Sequence, residues 1–280
     1  MTTLSPYTIT EPLSDEGGIL LYRAVRDVDR CPVLLKVHDA RRSRPQDLEQ
    51  LKREYEMGKL LDTAAVVKAL SFETYRGAPA LVMEDSGGQP LGGLLGTPMA
   101  IERFLPLAIR IAGALADVHR QGVMHKDLKP DNILVNLASG EVKLDGFGLA
   151  SRLPREHRPV QPPRLIEGSL PYLSPEQTGK TNRALDNRTD LYSLGVTFFQ
   201  VLTGRLPFEA RDAAEWVHCH VARASPSPSE IVPTVPETIS SIVLKLLSKM
   251  PEDRYQSARG LCHDLERCLS QRTASGTNAA

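Results

Sequence analysis

His125-Lys126-Asp127-Leu128-Lys129-Pro130-Asp131-Asn132 is the stretch on which the fold turns. An acid is followed two places later by a lysine and five places later by an asparagine. That set suits phosphoryl transfer. Asp127 would orient a hydroxyl and accept its proton, Lys129 would neutralise charge on the moving group, and Asn132 would hold a magnesium ion. Ile133-Leu134-Val135 follows at once and reads as a tiny strand. Its partner is 142–144, across an Ala138-Ser139-Gly140 turn.

Working outward, 105–120 is apolar on most faces and reads as a buried helix ahead of this loop. Downstream, 191–202 is a second such helix, stopped by Gly204, and 239–250 and 258–269 are amphipathic. The first eighty-odd residues differ. Short apolar runs at 19–24, 32–37 and 80–83 read as strands, and 47–61 as a helix with Leu51, Glu54, Gly58 and Leu61 on one face. Gly87, Gly88, Gln89, Pro90, Gly92 and Gly93 then break the pattern, as a hinge would. The expected class is α+β, with a small β-rich lobe at 1–84, a hinge at 84–90, a larger helical lobe at 91–270 and a flexible tail at 271–280.

Composition narrows the function. Lys+Arg and Asp+Glu are both 34 in 280 residues, so the surplus of cations that nucleic-acid binding needs is missing. No run approaches the roughly 18 apolar residues of a membrane helix, and 1–16 has no apolar signal core. Cys31, Cys219, Cys262 and Cys268 form no Cys-x-x-Cys pair, so a reducing cytoplasm is the expected setting. His218-Cys219-His220 does not read as a metal site, because helical positions two apart do not share a face. That helix is expected to be solvated or partner-facing, with Trp216 as a surface aromatic.

The 125–132 stretch resembles the catalytic loop of the eukaryotic-type protein kinases, and further motifs fall in the order that resemblance requires. Val33-Leu34-Leu35-Lys36 is similar to the strand whose lysine contacts the α- and β-phosphates of ATP, and Glu54 is the implied ion-pair partner of Lys36. Met83 resembles the gatekeeper. Backbone groups of Glu84 and Ser86 are implied to bind adenine, with Leu134 a further nucleotide contact. Ser174-Pro175-Glu176 resembles the end of the activation loop, implying Arg254 as the buried partner of Glu176, and Asp190 is implied to tether the catalytic-loop backbone. Lys129 and Ser169 look like the serine/threonine type. The stretch 167–179 is similar to the kinase-like module that begins large bacterial signalling proteins carrying an ATPase-like region and a sensor histidine kinase. The resemblance implies a bilobal kinase fold, ATP and magnesium, and a protein substrate or a regulated signalling domain as partner.

The chain departs from that pattern at several places. Where the metal-binding Asp-Phe-Gly is expected stands Leu144-Asp145-Gly146-Phe147-Gly148. Aligned on Phe147, Gly146 replaces the acid. On a strand one step turns a side chain to the other face, so Asp145, the candidate ligand beside Asn132, is expected to face away unless Gly146 bulges. The glycine-loop positions are Ser14, Glu16 and Ile19, leaving Gly17 and Gly18 as the flexible residues near a nucleotide. Leu34 is expected to crowd the roof of the adenine pocket, and Gly58 to leave the contacts around Phe147 short. Lys126 stands where regulated kinases have arginine, and 152–168 holds no Ser, Thr or Tyr to phosphorylate. The basic residues at 152–164 are expected at most to meet an acidic partner. Two outcomes follow: a kinase of reduced activity, or a pseudokinase that regulates a signalling domain.

Overall fold

Pro32-Val33-Leu34-Leu35-Lys36-Val37-His38 is apolar almost throughout, as a strand covered on both faces must be, and it forms the middle of a sheet. The computed structural model describes residues 6–16, 18–39, 41–42, 44–152 and 166–277. Within them, β1 (Tyr7–Glu16), β2 (Ile19–Arg26), β3 (Pro32–His38), β4 (Ala69–Tyr75) and β5 (Ala78–Glu84) pair antiparallel in the order β1-β2-β3-β5-β4. Helix α1 (Pro45–Leu60) joins β3 to β4. It opens on Pro45, where a missing N–H costs nothing, and the Asp47 carboxylate accepts from the Arg44 N–H at 2.6 Å. Strand alternation then sorts β3 between two clusters. Val33, Leu35 and Val37 pack with Tyr7, Ala24, Tyr75 and Val82. Leu34 packs on the opposite face with Leu21, Leu51, Met83 and Leu134, and Lys36 shares that face.

After β6 (Gln89–Pro90) the chain becomes helical: α2 (Ile101–Arg120), then α3 (Arg188–Thr203), α4 (Ala213–Val221), α5 (Pro228–Ile231), α6 (Glu237–Leu246) and α7 (Ala258–Thr277). Between α2 and α3 lie four short strands, β7 (Val123–Met124), β8 (Ile133–Val135), β9 (Val142–Leu144) and β10 (Ser151–Arg152). Helix α3 is buried at nearly every position, which is why its sequence shows no polar stripe. Phe198 meets Phe104 of α2 edge to face at 5.3 Å. These elements make the two lobes that the resemblance implies, a β-sheet lobe followed by a helical one.

Four expectations need correction. Helix α7 runs through Thr277, so the tail assigned to 271–280 is helical as far as it is described. Strands β1 and β4 were not foreseen. β1 is an edge strand whose register shifts twice around Pro12, and its mostly exposed residues leave little apolar signal. Gly58 leaves no gap, because a Cβ there would lie 2.9 Å from that of Ala69 in β4. The missing side chain lets α1 close onto the sheet, while Phe147 is 3% exposed and sits against the His125 ring at 4.6 Å. Finally, α4 is solvated on one side only: Ala213, Ala214, Glu215 and His218 are exposed, while Cys219 and His220 face inward. His220 is buried, stacked on Trp216, and its Nε2 lies 2.8 Å from the Leu170 carbonyl.

Candidate active site

A cavity of about 480 Å³ opens where the sheet faces the 125–132 loop. Ser14, Ile19 and Leu21 come from β1 and β2, Lys36 from β3 and Glu54 from α1. Asp127, Lys129, Asn132, Asp145 and Gly146 complete its far wall. The Lys36 ammonium donates to Glu54 at 2.5 Å and to Asp145 at 2.9 Å, with all three side chains buried. Asp145 therefore does not face away. Its N–H donates to the Asn132 carbonyl at 2.9 Å, and its carbonyl lies 2.7 Å from His125 Nε2. β9 ends at Leu144 and Gly146 takes φ +80°, so strand alternation stops one residue too early for the argument that turned Asp145 outward.

Two carboxylates around one ammonium set the electrostatics. Burial alone would lower Lys36, but Asp145 and then Glu54 outweigh it and hold the ammonium above its usual range. Burial works to raise Asp145, yet Lys36 brings it below the ordinary carboxylate value. Glu54 is pushed up to about 7, first by burial, with Lys36 opposing and Asp145 adding. Between an unfolded value of about 4.5 and a folded value of about 7, the native chain keeps a proton that the unfolded chain has lost. The contribution is thus full below the unfolded value and disappears as pH rises through 7. Glu54→Gln removes the titration. Across pH 5 to 8, wild-type stability should fall relative to that variant by at most about 3 kcal/mol. Melting curves with a pH-independent difference would refute this.

The 125–132 loop is held by groups from α3 and from the segment before it. Asp190 accepts from the N–H of His125 at 2.9 Å and of Lys126 at 2.8 Å, and His119 Nε2 lies 2.8 Å from it. Lys126 is fixed at φ +69°, its carbonyl accepting from Gln177 Nε2 at 2.7 Å. Asp127 accepts from the Ser169 N–H at 2.8 Å, and the Asn132 amide donates to the Asp127 carbonyl at 2.8 Å. Glu176 and Arg254 make a buried two-bond pair at 2.7 and 2.9 Å. His119, Gln177 and the His125 contact to Asp145 escaped the sequence reading, since ordinary-looking residues acquire these roles only through long-range packing.

The cavity thus gathers Lys36, Glu54, Asp127, Lys129, Asn132 and Asp145, but its walls do not include Glu84, Ser86 or Leu134. The Glu84 N–H donates to Lys68 and its carboxylate pairs with Lys143, while the Ser86 carbonyl accepts from Asn136. Gly18 is buried at φ +101°. Gly17 lies outside the described residues, as do Arg155, Arg158 and Arg164 of the basic segment. The Asn132 amide oxygen and the Asp145 carboxylate offer hard oxygen donors of the kind magnesium takes. Among the described residues there is no cage of three or more His, Cys, Asp or Glu. Among the described residues, no helix is long and apolar enough to cross a membrane.

A family model described as the protein kinase domain matches residues 17–265. The chain is 34% identical over 230 residues to the serine/threonine-protein kinase Pkn1 of Myxococcus xanthus, covering 81% of this chain and 33% of that protein. It is 33% identical over 267 residues to the serine/threonine-protein kinase PknL of Mycobacterium bovis, covering 94% and 65%. With the hybrid signal transduction histidine kinase G of Dictyostelium discoideum it shares 31% identity over 235 residues, 59% of this chain and 7% of that one. The chain spans about a third of the length of the first curated relatives it matches.

Proposed function

Since the chain belongs to the protein kinase family, we propose that it is a serine/threonine kinase domain with slow phosphoryl transfer to a protein hydroxyl. The observation that carries this is the gathering of Lys36, Glu54, Asp127, Lys129 and Asn132 around one cavity. Bound nucleotide would supply the transferable phosphoryl group. In this reading Asp127 orients the acceptor hydroxyl and takes its proton, and Lys129 offsets charge on the transferred group. Asn132 and Asp145 are the groups that would hold magnesium. Lys36, fixed between Glu54 and Asp145, faces the phosphates. Slow turnover follows from Gly146, which puts no carboxylate at its own position, and from Asp145 being tied to Lys36.

A second reading is a silent domain that regulates a signalling domain. Gly146 favours it, and the likeness to a hybrid histidine kinase gives it a natural context. Transfer of label from γ-labelled ATP, with magnesium or manganese, to the chain itself or to a Ser/Thr-rich protein separates the two. Label on serine or threonine supports the kinase; none in either metal supports the silent domain.

Gly146→Asp sharpens the test. A Cβ at 146 would lie 2.3 Å from the Asn132 carboxamide, so Asn132 must shift, and the gain below requires that its amide keep the bond to the Asp127 carbonyl. Asp tolerates the left-handed backbone at this position better than most residues. Restoring the carboxylate should raise labelling by roughly one to three orders of magnitude. A variant that folds and labels no faster than wild type would remove Gly146 as the cause of slowness.

A further inference from the structure

The cavity stops short of the hinge, none of whose residues lines it. Lys36 and Leu34 point to the same side of β3, yet Lys36 lines the cavity and Leu34 does not. Leu34, Met83 and Leu134 are each 1% exposed, and with Leu21 they belong to one apolar cluster. Three of these side chains come from the sheet and the fourth from β8, two residues beyond Asn132. Side chains of the sheet and of β8 therefore join in one buried cluster just where the cavity stops short of Glu84 and Ser86. On the outer side the roof is fastened to the hinge. Arg23, on the same face of β2 as Leu21, donates to Asp85 at 2.7 Å, to the Gly88 carbonyl at 2.8 Å and to Glu11 at 2.5 Å. The phosphate end of the cleft thus suits its ligand, and the base end as it stands does not.

We propose that Leu34 is a specificity-determining plug. It keeps the base slot shut against Leu134, so the cleft binds the phosphates of a nucleotide with little help from the base. The inference rests on the kinase reading and adds to it a named cause of weak nucleotide affinity. When only a fraction of molecules holds the slot open, the apparent dissociation constant rises by the inverse of that fraction. Shortening residue 34 removes the group that fills the slot while leaving every phosphate-facing residue in place.

Calorimetric titration of the full chain with magnesium-ATP and with magnesium-tripolyphosphate, which has no base, tests this. Wild type should bind the two within about threefold of each other. Leu34→Ala should tighten ATP binding by roughly tenfold or more and leave tripolyphosphate within about twofold. Leu34→Val should move the same way by less, and it serves if circular dichroism shows that the alanine variant does not fold. The inference is overturned if wild type already prefers ATP by more than about tenfold, or if neither variant gains for ATP. Wild type that binds neither magnesium-ATP nor magnesium-tripolyphosphate would instead overturn the kinase reading, and the inference with it.

Discussion

Asp127→Ala is expected to lower the rate of phosphoryl transfer by about two to four orders of magnitude, the usual contribution of a positioned general base. The effect should fall on kcat. Asp127 bonds to Ser169 and Asn132, whereas the Lys36 ammonium donates to Glu54 and Asp145. Nucleotide affinity should therefore change little. Asp127→Asn is a less clean probe. Its amide would point an N–H at either the Ser169 N–H or the Asn132 amide, both of which are donors, and the loop would have to rearrange. Because wild-type turnover is expected to be slow, the comparison is best made in the Gly146→Asp background. Equal labelling with and without Asp127 would show that the label does not arise from this cleft.

How much of this could be read in the chain depended on how local the signal was. Lys36, Glu54, Glu176 and Arg254 lie up to 78 positions apart in their pairs, yet each sits in a short motif whose order along the chain announced its partner. The tether from Asp190 was legible for the same reason. What failed was reasoning that carried a local period past the end of its element. Asp145 was assigned to the wrong face by strand alternation, but β9 stops at Leu144 and the chain then enters a left-handed turn. Gly58 looked like a deletion and acts as a close contact, because the position of Ala69 on an unforeseen strand decides what a missing side chain does. The crowding at Leu34 was visible as bulk. Its consequence was not, since it needs Leu134 from the other lobe to meet it.

The largest loss of stability is expected from Arg254→Ala. The side chains of Arg254 and Glu176 are 0% and 1% exposed. Arg254 also donates to the carbonyls of Ser248, Arg188 and Lys249 at 2.8, 2.9 and 3.1 Å, and its guanidinium lies 5.0 Å over the Tyr192 ring. Truncation takes the counter-ion from a buried carboxylate, which keeps neutral help such as the Thr189 hydroxyl at 3.0 Å, and the donor from three part-buried carbonyls. Breaking a buried pair from one side costs about 3–5 kcal/mol, because the remaining charge stays desolvated without its counter-ion. For a domain of this size that is a fall in Tm of roughly 10 °C. Arg254→Lys should recover only part of it, since an ammonium cannot make the two parallel bonds to Glu176 that the guanidinium makes. Glu176→Leu combined with Arg254→Met should be more stable than Arg254→Ala alone, because the pair's worth lies in mutual compensation rather than in net attraction. Ser169, whose N–H holds Asp127, lies seven positions before Glu176. Loosening this segment should therefore reduce turnover in the single variant even below its melting transition. An Arg254→Ala protein that melts within about 2 °C of wild type would mean that the buried pair contributes nothing beyond filling space.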